Sequence, residues 1–185
     1  MNRFIIAAAA VAATATVPAL AAEKPAGLVA SSVPVVLPAP PAGKGQIVFF
    51  RSGSIMGAAM GCSVNENKQK VASLGAGRYF IMVTDPGRHE FMVQSEAKDV
   101  LALEVEADET QFVGCKIKMG MMVGRPDIRP ATEDEFRKLK SPKMVDADDM
   151  GPGPGALRPN EVAAALSSGP APAAAPAGGA DTTVQ

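Results

Sequence analysis

Apolar and polar residues alternate with a period of two in the central part of the chain, between residues 44 and 143. Tyr79, Ile81 and Val83 lie on one face of one such segment, and the same pattern recurs in the other segments. This alternation is typical of β-strands that have one buried face. It predicts seven strands, which are Gln46–Arg51, a segment with Met60, Cys62 and Val64 on one face, Lys70–Leu74, Arg78–Thr84, Arg88–Gln94, Val100–Glu106 and Thr110–Met119.

Turn signals separate these segments at intervals of about ten residues, as expected for a β-sandwich. The strongest is Asp85-Pro86-Gly87, in which proline fixes φ and glycine accepts a positive φ. Thr132 and Glu135 have the spacing of a capping box, which predicts a helix that packs across an edge or an end of the sandwich. The predicted fold class is therefore mainly β: a small antiparallel β-sandwich of about seven strands with one C-terminal helix and disordered arms.

The two ends of the chain differ in composition from the middle. Residues 1–21 have a positive Arg3, an alanine-rich apolar stretch and Ala19-Leu20-Ala21, which predicts a cleaved signal peptide and no membrane span afterwards. An uncleaved N-terminal anchor is the alternative. Residues 22–43 form a Pro/Ala-rich linker, and residues 144–185 form a Gly/Pro/Ala-rich tail, both expected to lack packed structure apart from a short helix at 161–166. The folded domain is thus predicted at 44–143.

Charge and composition exclude several classes of function. The formal net charge is −1, so the chain lacks the basic field of a nucleic-acid-binding protein. A single histidine, His89, excludes sites that need several histidine ligands, and its position after a Pro-Gly turn favours a packing or turn-bonding role. No glycine loop for a phosphate cofactor and no motif of a hydrolase occurs, so neither a cofactor nor a catalytic residue is expected.

Cys62 and Cys115 are the only cysteines, and both lie on the predicted inward phase of their strands. An even count in an exported chain favours a disulfide. Two buried free thiols are one alternative. A nucleophilic pair of Cys62 with His89 is another, although no carboxylate stands at a spacing that would orient the histidine.

Three methionines, Met119, Met121 and Met122, cluster at the end of the last predicted strand. Thioethers are soft ligands that select Cu(I), so the cluster is a candidate metal site. Methionine also fills gaps in apolar cores, and this chain, which has no tryptophan, needs such fillers.

Several segments resemble the DUF2846 family of exported bacterial envelope proteins of unknown function. The resemblance rests on Gly45–Arg51, the strand-turn-strand Cys62–Leu74, Gly77-Arg78-Tyr79-Phe80 and Pro86-Gly87-Arg88-His89. The chain departs from the family at Asp108-Glu109-Thr110, where a glycine usually precedes the last strand. The resemblance implies a small β-sandwich domain and brings no catalytic residues.

Together these features predict a non-enzymatic, exported, periplasmic protein with a structural or protein-interaction role in the cell envelope. Its expected partner is another envelope protein, and its oligomeric state is left open. The alternative is a periplasmic copper-binding protein that uses the methionine cluster.

Overall fold

The computed structural model describes residues 34–53, 58–95, 97–121 and 124–169. Four predicted features lie outside the described residues: the signal peptide at 1–21, the first part of the linker at 22–33, Met122, and the end of the tail at 170–185. Within the described part of the chain, no helix is long and apolar enough to cross a membrane.

The described residues form nine strands and two α-helices, so the chain is mainly β as predicted. The first seven strands match the seven predicted segments to within a few residues. The elements are β1 (Gly45–Arg51), β2 (Cys62–Glu66), β3 (Gln69–Leu74), β4 (Arg78–Thr84), β5 (Gly87–Gln94), β6 (Lys98–Val105), β7 (Thr110–Lys118), β8 (Arg125–Ala131), α1 (Glu133–Arg137), β9 (Lys143–Met144) and α2 (Pro159–Ser168).

The strands form two sheets, called here sheet A and sheet B. Sheet A has the order β8-β7-β1-β4-β9, and sheet B has the order β3-β2-β5-β6. Most neighbouring strands are antiparallel, but β1 pairs with β7 in parallel and β4 pairs with β9 in parallel. The prediction of a small β-sandwich is confirmed, while two of its strand pairs are not antiparallel.

The main core lies between the two sheets. Phe49 of β1 stacks on Phe80 of β4, with ring centroids 4.7 Å apart, and meets the edge of Phe91 of β5 at 4.9 Å. These three rings are fully buried, as are Ile47 and Val93 beside them. The seven aromatic residues of the domain therefore supply enough apolar volume without tryptophan.

A second apolar cluster covers the opposite face of sheet A. Phe136 of α1 contacts the rings of Phe50, Tyr79 and Phe112 at centroid distances of 5.4–5.8 Å. Val162 of α2 joins the same cluster. Helix α1 thus packs on a face of the sheet and not on an edge or an end, and the Thr132 side chain caps it by accepting a hydrogen bond from the Glu135 amide. Because sheet A is covered on both faces, every residue of β1 is buried.

Strand β8 follows the seven predicted strands and contains Pro126 and Pro130. Proline is tolerated on an edge strand where its missing N–H would face away from the sheet. The amide of Ile128, two residues from each proline, donates outward to the carboxylate of Asp99 on β6 at 2.7 Å. Backbone direction alternates along a strand, so the nitrogens of Pro126 and Pro130 face outward, as the Ile128 amide does. The pairing with β7 therefore needs no N–H from either proline.

Residues 143–157, called here the C-terminal strap, run along the edges of both sheets. Strand β9 pairs with the first half of β4. The chain then passes through a 3₁₀ turn at Ala147–Asp149 to β3, where the amides of Gly151 and Gly153 donate to the carbonyls of Val71 and Lys70. It returns to the second half of β4, where the Val83 amide donates to the Gly155 carbonyl and the Leu157 amide to the Ile81 carbonyl.

The strap corrects the prediction of a disordered tail for residues 144–169. The repeat Gly151-Pro152-Gly153-Pro154-Gly155 resembles low-complexity sequence. However, its glycines supply backbone groups that hydrogen-bond to β3 and β4, and their lack of a side chain lets the backbones come close together. A Cβ at Gly151 would lie 1.9 Å from the Lys70 carbonyl oxygen, and one at Gly155 would lie 2.5 Å from that of Val83. Val145 is fully buried, so the segment is part of the domain.

The end of the linker also packs on the domain, in contrast to the extended spacer predicted there. Val35 and Leu37 contact the second apolar cluster, and Pro38 is buried. The Pro38 carbonyl accepts a hydrogen bond from the buried Gln46 side chain at 3.0 Å.

Candidate functional site

The two cysteines join the sheets across the main core. Cys62 comes from β2 in sheet B and Cys115 from β7 in sheet A, and they form a disulfide with Cα atoms 6.6 Å apart. Both side chains are buried, because each lies on the inward phase of its strand. A sulfur held in this bond neither attacks a substrate nor ligates a metal as a thiolate, which removes the Cys62–His89 pair as a nucleophilic arrangement.

The described methionines of the predicted cluster lie on the surface. Met119 is 80% exposed and Met121 is 95% exposed, so neither fills the core. Met119 lines a groove of about 220 Å³ between the β5–β6 turn and the start of β8. Most of the other lining side chains are charged and of both signs: Lys98, Asp99, Lys118, Arg125 and Asp127.

Sequence reasoning missed a larger concavity than this groove, and its lining includes Glu66. A cleft of about 420 Å³ lies where β4 ends, between the strap and the first turn of α2. Its charged lining residues are Lys44, Glu66, Asp85 and Glu161. The alternation of Cys62 and Val64 continues to Glu66, and that period is the signal that could have found its inward side chain.

Glu66 forms a largely buried ion pair with His89. Its Oε1 lies 2.6 Å from Nδ1 of His89, and the two side chains are only 8% and 16% exposed. The Nε2 atom of the same ring lies 2.9 Å from the carbonyl oxygen of Asp85. Because a carbonyl oxygen and a carboxylate only accept, both contacts are hydrogen bonds when the two ring nitrogens carry hydrogen, so this geometry favours the imidazolium form.

Opposing effects act on the pKa of His89. Burial lowers it, but the hydrogen bonds to Glu66 and to the Asp85 carbonyl, together with the charges of Glu66 and Asp85, raise it by more. The net result is a pKa above the ordinary value of 6.5. The geometry and the charges therefore favour the same protonated state.

The contacts of His89 with Thr84 and Glu66 resemble the hydroxyl–histidine–carboxylate contacts of a catalytic triad. They differ from a triad in the state of Nε2. The Thr84 hydroxyl lies 3.2 Å from Nε2, near enough for a base to take its proton. However, Nε2 already donates to the Asp85 carbonyl and has no lone pair for that proton. The pair joins β2 to β5 and to the β4–β5 turn, and its contacts are structural.

In the part of the chain that the structure describes, no group of three or more histidine, cysteine, aspartate or glutamate side chains stands close enough to hold a metal ion. The carboxylate of Asp85 instead pairs with Lys44 across the mouth of the cleft.

Fold and site together define a β-sandwich domain whose sheets are joined by a buried disulfide and whose histidine is held in an ion pair. Residues 41–125, which contain β1 to β7, match the model of the family described as protein of unknown function, DUF2846, so this region belongs to that family. The match confirms the resemblance seen in the sequence, while most of β8 and all of α1, the strap and α2 follow the matched region. Comparison with curated proteins and with solved structures gave no significant match.

Proposed function

We propose that this protein is a non-enzymatic module, exported to the periplasm, that binds another protein of the cell envelope. The exposure of Met119 and Met121 beside the charged groove at the end of β7 carries this proposal. Flexible thioether side chains adapt to different partner surfaces and are common at protein-binding sites. Large exposed apolar side chains of this kind mark interaction surfaces when they are grouped and rimmed by polar residues.

Export is supported by two independent features. The sequence of residues 1–21 has the three regions of a signal peptide. The buried disulfide between Cys62 and Cys115 suits an oxidising compartment, because cytosolic thiols are kept reduced. The role without catalysis is supported by His89, the one imidazole of the chain, whose two nitrogens both donate to fixed acceptors.

Site-specific photo-crosslinking in intact cells tests the proposed interface. A photoreactive residue in place of Met119 should give a reproducible covalent adduct with one envelope protein, identified by mass spectrometry. The same residue in place of Lys68, which is exposed in the β2–β3 turn, is the matched control. Absence of any adduct from position 119, or the same adducts from both positions, contradicts the proposal.

Copper binding is a second candidate function, favoured by the same exposure. Met119 and Met121 are exposed at the surface and do not fill the core, and Met122 follows directly in the chain. Chain incubated with Cu(I) should then retain about one metal ion, and the double variant Met121→Leu, Met122→Leu should lose it. Met92→Leu, on β5, is the control that should keep the metal. Retention of no copper, or equal retention by the double variant, excludes this function.

A further inference from the structure

The two sheets have four edges, and three of them are protected in the described part of the chain. The strap bonds along β3 and along β4. Strand β8 carries two prolines on its outer side, and Asp99 binds its outward amide at Ile128. Strand β6 is the remaining edge, eight residues long and paired only with β5 among the described strands.

The backbone groups of Val100 and Ala102 point away from β5. The Met92 carbonyl accepts a hydrogen bond from Asn65 on β2, so Met92 faces β2 and its neighbour Phe91 faces β6, where Leu101 is its partner. Since backbone directions alternate along a strand, the residues on either side of Leu101 direct their N–H and C=O groups outward. Among the described residues, neither Val100 nor Ala102 makes a backbone–backbone hydrogen bond outside the β5–β6 pairing. The carbonyl of Glu104, at the end of the same edge, accepts a hydrogen bond from the Gln111 side chain at 2.6 Å.

The outer face of β6 has a self-complementary pattern of side chains. Lys98, Val100, Ala102 and Glu104 are all exposed, and Val100 is 50% exposed. Val100 and Ala102, in the middle of the strand, are apolar. Lys98 and Glu104, towards its two ends, carry opposite charges. Neither Lys98 nor Glu104 forms an ion pair within the described residues. A strand that runs antiparallel and is centred on Leu101 would place each lysine opposite the glutamate of the other strand.

We propose that β6 pairs with β6 of a second copy of this chain, antiparallel and centred on Leu101. In this register Val100 and Ala102 of one copy exchange hydrogen bonds with Ala102 and Val100 of the other, and the two-fold symmetry repeats the exchange. Lys98 of each copy faces Glu104 of the other, which gives two cross-strand ion pairs. The two copies of sheet B then form one continuous sheet of eight strands, twice the four of one chain.

A register shifted by one residue is disfavoured. Backbone direction excludes it, because with the centre between Leu101 and Ala102 the outward-directed Val100 would lie opposite Leu103 of the other copy, whose N–H and C=O groups point to β5. The cross-strand hydrogen bonds would then be lost. Backbone direction and the opposite charges of Lys98 and Glu104 together favour the register centred on Leu101.

Sedimentation velocity of the purified whole chain over a range of concentrations tests this pairing. The chain should be a reversible dimer with a dissociation constant in the micromolar range. Lys98→Glu and Glu104→Lys should each weaken the dimer by roughly tenfold, because each introduces two like-charge contacts. The double variant Lys98→Glu, Glu104→Lys should restore the dissociation constant of the wild type. Lys140→Glu, which changes the charge equally at an exposed position after α1, should have no effect.

Ala102→Pro provides a second test that does not depend on charge. Proline at this position removes an outward N–H that the β5–β6 pairing does not use, so the variant should be a folded monomer with unchanged circular dichroism. A monomeric wild type, a dimer that is insensitive to both charge reversals, or a double variant weaker than either single variant overturns the inference. Lys98 also lines the groove beside Met119, but Ala102 does not, so a monomeric Ala102→Pro variant that keeps the Met119 adduct separates failure of the dimer from failure of the proposed function.

Discussion

His89 links the charge state of one side chain to the stability of the fold. Its ring bridges β2, through Glu66, and the β4–β5 turn, through the Asp85 carbonyl, and it packs 6.2 Å from the ring of Phe91. The pKa of His89 is raised in the folded chain, so the folded state holds this proton at pH values where the unfolded chain has released it. The stabilisation is complete below pH 6.5 and is lost as the pH rises through the folded pKa.

We therefore expect the free energy of unfolding to fall as the pH increases above about 6.5. His89→Gln should remove this dependence and should lower stability at pH 6 by roughly 2 kcal/mol, the usual size of a hydrogen bond to a charged group. Urea unfolding at pH 6 and pH 9 measures both effects. Glu66→Gln should flatten the pH dependence as well, and a variant that keeps the full dependence would show that Glu66 does not raise the pKa.

This pair could be predicted only in part from the sequence. The inward phase of His89 follows from its alternation with Phe91 and Val93, and that of Glu66 from its alternation with Cys62 and Val64. The contact itself depends on the register of β2 against β5, which places Glu66 opposite Phe91. Register between strands that are distant in the chain is set by packing of the whole sheet and leaves no local signal.

At the scale of the element, the strap shows how a Gly/Pro repeat can be an ordered edge. The prolines need no backbone donor, and the glycines place amides against β3 without a clashing Cβ. Composition alone favours disorder for such a sequence, because it holds few apolar side chains. The signal that could have been used was the spacing of Val145, Met150 and Ala156, which contact the main core.

Gly151→Ala should detach the strap from β3, because its Cβ would overlap the Lys70 carbonyl and backbone atoms cannot move aside cheaply. We expect a loss of roughly 2 kcal/mol in the free energy of unfolding. Hydrogen exchange should show faster exchange at the amides of residues 151–157. The control Gly53→Ala, whose Cβ would meet nothing within 4 Å, should leave exchange in the strap unchanged. Unchanged exchange in Gly151→Ala would contradict the described contact.

At the scale of the whole molecule, the disulfide closes a ring that contains four of the nine described strands. Cys62 and Cys115 are 53 residues apart, and the strands β3 to β6 lie between them. A cross-link of this span restricts the unfolded chain, and the chain-entropy estimate of its contribution is about 4 kcal/mol. Both sulfurs are buried in the main core, so the folded protein shields the disulfide bond from reductants.

The double variant Cys62→Ser, Cys115→Ser should therefore unfold at a lower urea concentration, by an amount that corresponds to a loss of up to about 4 kcal/mol. Reductant should shift the wild-type transition towards that of the double variant. The double variant itself should not respond to reductant, which separates loss of the bond from other effects of the reagent. Equal stability of wild type and double variant would contradict a stabilising bridge.

The overall architecture was predictable where it depends on local pattern. The positions of β1 to β7 follow from alternation, and the cap of α1 follows from Thr132 and Glu135. The parallel pairing of β1 with β7 joins residues more than sixty positions apart, and the covering of sheet A by Phe136 and Val162 depends on tertiary packing. Neither the pairing nor the covering produces a periodic pattern of apolar residues in the segments involved.

The second apolar cluster has a geometric consequence for both arms of the chain. Val35, where the linker reaches the domain, and Val162, in the last described helix, contact the same cluster on the outer face of sheet A. The two arms therefore meet the domain on one side. Sheet B packs on the other face of sheet A, so the edge at β6 lies in the half of the domain that is away from both Val35 and Val162.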